Sequence, residues 1–223
     1  MTTHSDLRAV SFDVGGTLIE PWPSVGHIYA EVAERFGIMG IAPEQLNRQF
    51  AMAWKARRKF GYSREAWREL VNHSFAGLWP EPPSAVCFDA MYEAFATVGG
   101  WRVFDDVRPT LAEVRAHGLK LAIVSNWDER LRPLLSELGL GECFDVIVIS
   151  HETSFTKPAP EIFQRAAVAL NLPAETILHI GDSWTEDFEG ARAAGMKSLL
   201  LDRKAVLVGD GVVRSLAAVL EGA

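Results

Sequence analysis

A doubly wound parallel α/β core of the Rossmann-like type, interrupted after its first strand by an inserted bundle of helices, is the architecture this sequence predicts. Three observations carry the prediction. A short apolar run, Ala9-Val10-Ser11-Phe12, enters a lone carboxylate, Asp13, and Gly15-Gly16 then lets the backbone turn sharply. From Leu18 to about Gly100 apolar residues recur at helical spacing, with no convincing strand among them. After Gly100 short apolar runs alternate with helical segments, the pattern of a parallel sheet covered on both faces. The division this gives is a core made of residues 1–18 and 101–223, with a helical domain at 19–100.

In the insert, Val25, Ile28, Tyr29, Val32, Ala33 and Phe36 share one helical face that ends at Gly37. A second helix starts with Pro43 in its first turn and buries Leu46, Phe50, Ala53 and Trp54, leaving a basic face. Ser63 caps a third helix carrying Trp67, Leu70, Val71, Phe75 and Leu78, and Ser84 caps a fourth with Phe88, Met91, Tyr92 and Phe95. Trp22, Trp54, Trp67 and Trp79 fall on or beside these stripes and are expected in the bundle core. Four such helices read as a compact bundle.

In the remainder, a helix from Pro109 to His117 stops at Gly118 and Leu119 to Ser125 is a buried strand. A helix near 129–138 stops at Gly139, and Asp145 to Ser150 is the next strand. Pro160 to Leu170 is helical, Thr176 to Ile180 extended, Glu186 to Ala194 helical, and Lys197 to Asp202 a last strand before a short helix near 213–220. Ligands of such a fold sit outside the carboxyl ends of the strands.

Composition narrows the function classes. With 223 residues, the chain can bury a sizeable core. Its 22 basic and 29 acidic residues give a net charge of −7, which disfavours nucleic acid or an anionic membrane as partner. Cys87 and Cys143 form no CxxC or metal-ligand spacing, and no apolar run approaches membrane-spanning length. The N-terminal residues lack the pattern of an export signal, so the expected location is cytoplasmic. Composition says nothing of oligomeric state.

Four clusters fall at strand ends and so converge on one edge: Asp13, Ser125-Asn126, Lys157-Pro158 and Gly181-Asp182-Ser183. Taken singly, Ser125 can be a strand end, Lys157-Pro158 a helix approach and Asp182 a helix cap, while Glu186 and Asp187 complement a helix dipole. As an ordered set they resemble the signature of the haloacid dehalogenase-like hydrolase superfamily, and the helical insert is similar to the first cap class of that family. The resemblance covers nearly the whole chain.

It implies a hydrolase, most simply a phosphatase acting on a small phosphorylated metabolite. An aspartate at a strand tip can attack phosphorus and form an acyl phosphate that water later cleaves, and Asp13 takes that role. Phosphate and carboxylate repel, so cations are required: magnesium on oxygen ligands, and Lys157 as a point charge. By resemblance the metal takes Asp13, the backbone carbonyl of Gly15 and Asp182. Ser125 and the backbone at Asn126 hydrogen-bond the phosphoryl oxygens, and Asp187 orients Lys157 or a metal-bound water. Thr17 steadies the turn.

The family's phosphatases carry a second aspartate two residues after the nucleophile, where this chain has Gly15. That acid protonates the leaving group and later activates water, a contribution worth about 10²–10⁴-fold. Its absence implies a slow enzyme, one limited to good leaving groups, or one with a replacement; His151, Glu20 and His27 are the candidates by position. Dehalogenase-like chemistry needs neither acid nor metal, and phosphonatase-like chemistry would need a cap lysine, for which Lys55 is the candidate. Within Lys55, Arg57, Arg58 and Lys59 a solvated helix face is the simpler reading. His179 is expected as a hydrogen-bonded core histidine. A protein that binds phosphate without turnover is the alternative of a different class.

Overall fold

The first strand, β1 (Ala9–Phe12), is buried along its whole length, as a strand must be when both faces of its sheet are covered. The structure, a computed structural model, describes residues 6–57 and 60–220; Arg58 and Lys59 of the basic run lie outside them. In chain order β1 is followed by β2 (Ile19–Pro21), α1 (Val25–Arg35), α2 (Pro43–Ala56), α3 (Arg64–Phe75), α4 (Phe88–Ala94) and β3 (Trp101–Val103). Then come α5 (Val107–Ala116), β4 (Lys120–Ser125), α6 (Leu131–Glu137), β5 (Val146–Ile149), α7 (Pro160–Leu170), β6 (Ile177–Gly181), α8 (Gly190–Ala193), β7 (Lys197–Leu201) and β8 (Val212–Val213).

The main sheet has the order β5-β4-β1-β6-β7-β8, and every pairing is parallel. The chain winds outward from β1 through β4 and β5, then returns to the other side of β1 at β6. That reversal is the topological switch at which α/β sheets open a crevice. Register fixes what lines it. Phe12 is level with Ile123 of β4 and Ile180 of β6, so Asp13, Ser125 and Gly181 leave the sheet at one edge. One covering layer is α7, whose Ile162, Phe163, Ala166 and Leu170 pack on Ala9, Ala122, Val124 and Val148. The helix stops at Asn171, which takes a left-handed conformation at φ 55°.

The chain forms two compact units, Met1–Ile19 with Val103–Ala223, and Glu20–Arg102. In the second unit, Tyr29, Val32, Ala33, Leu46, Val71, Phe75, Phe88 and Met91 share one core. Trp54 and Trp67 stack beside it with ring centroids 5.9 Å apart. Several local expectations change. Phe36 lies one residue past the end of α1 and is 44% exposed. Trp22 is no core residue: its ring is 45% exposed and carries the Arg102 guanidinium 3.7 Å above it. Ser84 sits in a 3-10 turn, Pro83–Ala85, and Cys87 occupies the N-cap of α4. The short β2–β3 ribbon was invisible in the pattern because three residues, one of them Pro21, carry no periodicity. Where a plain helix was expected from Glu186, one wide π turn, Trp184–Glu189, precedes α8.

Asp106, the N-cap of α5, binds the C-terminal segment to the sheet domain. Its carboxylate accepts two bonds from Arg203 (3.0 and 2.9 Å), one from Ser215 Oγ and one from the Leu216 N–H (both 2.8 Å). Burial alone would raise its pKa, but these donors outweigh burial and hold it below the ordinary carboxylate value. A depressed folded pKa adds stability that is present above the unfolded value and lost as pH falls through the folded one. Asp106→Asn should therefore cost about 1–3 kcal/mol at neutral pH. In urea titrations the gap to the parent protein should close as the pH is lowered beneath the ordinary carboxylate pKa; a gap constant with pH would contradict this.

Candidate active site

Each strand end at the switch point delivers one polar group. At the tip of β1, Asp13 Oδ1 accepts a hydrogen bond from Ser125 Oγ at the end of β4 (2.8 Å) and a second from Lys157 Nζ (2.6 Å). Lys157 also donates to Asp187 Oδ1 at 2.5 Å, so one buried ammonium bridges two buried carboxylates. Its loop is clasped by Asn126: the Lys157 N–H donates to Asn126 Oδ1 (2.7 Å), and Asn126 Nδ2 donates to the Lys157 carbonyl (3.0 Å) and to Glu186 Oε2 (3.2 Å). The π turn after β6 brings Asp187 back towards the strand, where its Oδ2 accepts the Ser183 N–H at 3.0 Å.

His179, inside β6, supports the far side. Burial pushes its pKa down, so it is neutral. Its Nε2 lies 3.2 Å from Asp187 Oδ1 and its Nδ1 2.9 Å from Ser11 Oγ. Because a carboxylate only accepts, Nε2 carries the proton and Nδ1 accepts from Ser11.

The charges follow from these contacts. Burial lowers the Lys157 pKa, but the adjacent Asp13 and Asp187 more than reverse this and raise it above the usual lysine value. Burial raises Asp187, yet the Lys157 ammonium and the His179 bond hold it well below the carboxylate range. Asp13 is pushed up, by burial first, against the pull of Lys157. Asp182 is exposed as a residue, but its carboxyl faces the others. Burial of that group and repulsion from Asp13 and Asp187 push it up to about 7.

One oxygen from each of Asp13, Asp182 and Asp187 lies within 4.8 Å of the others. Among the described residues three carboxylates thus share a single ammonium, and a divalent cation would balance the excess. Both oxygens of Asp187 are taken by Lys157, His179 and Ser183, and both donors to Asp13 fall on Oδ1. Asp13 Oδ2 and Asp182 remain, an all-oxygen pair suited to a hard ion such as magnesium. The donor set fits that metal.

The profile of the haloacid dehalogenase-like hydrolases matches residues 7–195. The chain belongs to this family. Haloacid dehalogenase-like hydrolase domain-containing protein 3 of Homo sapiens is 33% identical over 96% of this chain and 88% of its own length. A Mycobacterium tuberculosis protein named as a phosphatase is 37% identical, over 59% of this chain and 60% of its own. A solved haloacid dehalogenase-type hydrolase of Bacillus subtilis, bound to magnesium, shares the fold with a TM-score of 0.76 at 20% identity, covering 96% and 97% of the two chains.

Against this family's pattern, Asp13, Ser125, Lys157, Asp182 and Asp187 come together at one edge, while Asn126 turns its amide to the Lys157 backbone. Gly15 lies in the turn after Asp13. A Cβ there would stand 3.1 Å from Cζ3 of Trp127, and the backbone has no positive φ, so it is the indole, not conformation, that crowds position 15. At Gly16 (φ 77°) a side chain would strike the Asp182 carboxylate. The turn is held by main chain: the Val14 carbonyl accepts from Thr17, Leu18 and Ile19. The Thr17 hydroxyl is buried with no hydrogen-bond partner among the described residues, so it does not fasten the turn as expected.

The replacement acids are engaged elsewhere. Glu20 pairs with Arg102, His27 Nδ1 lies 2.7 Å from Ser24 Oγ at the start of α1, and His151 Nδ1 is 3.8 Å from Glu129 on the surface. Lys55 is exposed in the last turn of α2. Trp127, Glu186 and Ser11 were not foreseen as parts of the site; each contributes through a contact distant in sequence.

Proposed function

We propose that this hydrolase is a magnesium-dependent phosphatase of small phosphorylated metabolites, working in the cytoplasm through an aspartyl phosphate on Asp13. The carrying observation is the Asp13 carboxylate itself, with Oδ1 fixed by Ser125 and Lys157 and one of its oxygens within 4.8 Å of an oxygen of Asp182. One carboxylate oxygen of Asp13 attacks phosphorus as the bond to the leaving oxygen breaks, and the leaving oxygen keeps the electron pair. Water then attacks the acyl phosphate, releasing phosphate and regenerating the carboxylate. Lys157, already protonated, offsets negative charge on the transferring group, and Ser125 with the Asn126 main chain supplies hydrogen bonds to its oxygens. Asp187 and Asn126 position Lys157. Magnesium held by Asp13, Asp182 and the Gly15 carbonyl would supply charge neutralisation at the phosphoryl oxygens.

Two free cysteines and the absence, among the described residues, of a helix long and apolar enough to cross a membrane are consistent with the proposed location. Phosphate release from a panel of acyl phosphates and phosphate esters, with and without magnesium, tests the proposal. Metal-dependent release is expected. Phosphate binding without release would favour a non-catalytic binder, and halide release from a 2-haloacid without metal would favour dehalogenase chemistry.

A further inference from the structure

The turn that follows Asp13 is closed on itself by main chain, but its own side chains add little restraint. Gly15 and Gly16 stand in it, and the Thr17 hydroxyl is buried without a hydrogen-bond partner among the described residues. Adjacent glycines leave the backbone wide freedom, so a turn with a nucleophile at its head needs restraint from outside. Two successive carbonyls receive it. The Leu18 carbonyl accepts the Phe104 N–H at 3.1 Å, and the Thr17 carbonyl accepts Arg203 Nη2 at 2.7 Å.

The two donors form one piece. Arg203 Cζ lies 3.8 Å from the centroid of the Phe104 ring, so the residue whose N–H holds Leu18 also supports the cation that holds Thr17. Arg203 follows β7, whose Leu200 is level with Gly181, and it therefore leaves the sheet at the edge that bears Asp13 and Ser125. The orientation of the guanidinium favours the turn. A guanidinium that answered to Asp106 alone could offer Nε with one Nη as its fork. Here Nη1 and Nη2 both go to Asp106, Nη2 is shared with the Thr17 carbonyl, and Nε is buried with no partner among the described residues. A buried donor left over lowers stability, so the ion pair is not arranged for stability alone.

Resting on the phosphatase reading above, we infer that Arg203 is a positioning residue for catalysis: together with the Phe104 N–H it clamps two successive carbonyls of the turn after Asp13, and so holds the nucleophile and the Gly15 main chain in their working geometry. It touches no reacting atom and acts through the turn. Its distance in sequence, 186 residues from Thr17, hides this part from any local pattern.

The test compares Asp106→Asn with Arg203→Met/Asp106→Asn. Asp106→Asn keeps the bond from Arg203 to Thr17 and should retain at least about half of the parent kcat. The double variant strands no carboxylate, and methionine still covers the Phe104 ring, but the clamp is gone. Its kcat for acetyl phosphate with magnesium should fall about tenfold to 10²-fold below that of Asp106→Asn. KM should stay within about twofold, because Lys157, Ser125 and Asn126 are untouched. Equal kcat in the two variants would overturn the inference. Hydrogen exchange reads the clamp without any substrate. Relative to the amides of β4, the Thr17, Leu18 and Ile19 N–H groups should exchange about tenfold faster in the double variant than in Asp106→Asn. Equal exchange would overturn the clamp whatever the activity, and it can be followed even if kcat is too low to measure. A parent protein that releases phosphate while both variants match it would remove Arg203 from the role and leave the phosphatase reading intact. No release by the parent from any phosphoryl compound would end that reading, and the catalytic role with it.

Discussion

Asp13→Asn should abolish turnover while leaving the protein folded. The amide oxygen can still accept from Ser125 and Lys157, so the local geometry survives. What disappears is the anionic oxygen that would form the acyl phosphate. Loss of a nucleophile costs roughly 10⁴-fold or more in kcat. The ionised form of Asp13 is itself disfavoured by burial, so its neutral replacement should not lower the unfolding temperature. Acid-quenched labelling with acetyl phosphate should show a phosphorylated chain for the parent and none for the variant. A variant that retains a tenth of the parent rate would remove Asp13 from the role.

Lys157→Ala should have the second largest effect, on stability as well as activity. Among the described residues its ammonium is the one cation between Asp13 and Asp187, and all three side chains are buried. Removing it leaves two carboxylates facing each other with no compensation, and breaking a buried pair from one side costs about 3–5 kcal/mol. The loss should appear in urea unfolding at neutral pH. Adding Asp187→Asn removes one of the stranded charges, so the double variant should be more stable than Lys157→Ala alone, the sign of direct coupling. Additive losses would mean that the three groups do not act as one cluster.

Much of this site was legible because strands of a parallel sheet end at a common edge. Apolar runs could be counted, and Asp13, Ser125 and Asp182 each follow one directly. Lys157 comes after the β5 strand end by way of a loop, so its order among the other motifs is what points to the same pocket. His179 could be read as a hydrogen-bonded core residue, but that it steadies Asp187 through a neutral ring depends on the π turn, which no helical periodicity signals. Trp127 over Gly15 was hidden for a different reason. Ring and glycine are separated by the whole helical insert, and a glycine without positive φ looks like any other turn residue until the approaching side chain is seen. Asn126 has a second part that its place beside Ser125 did not signal: besides the main chain expected to face the phosphoryl group, its side-chain amide fixes the Lys157 loop.

The most direct measurement is a crystal structure of the protein grown with magnesium and beryllium fluoride, a mimic of an aspartyl phosphate. The account predicts beryllium bonded to one carboxylate oxygen of Asp13, its fluorides near Lys157 and Ser125, and a magnesium ion shared between Asp13 and Asp182. Fluoride complex absent from Asp13, or the cation bound away from Asp182, would contradict it.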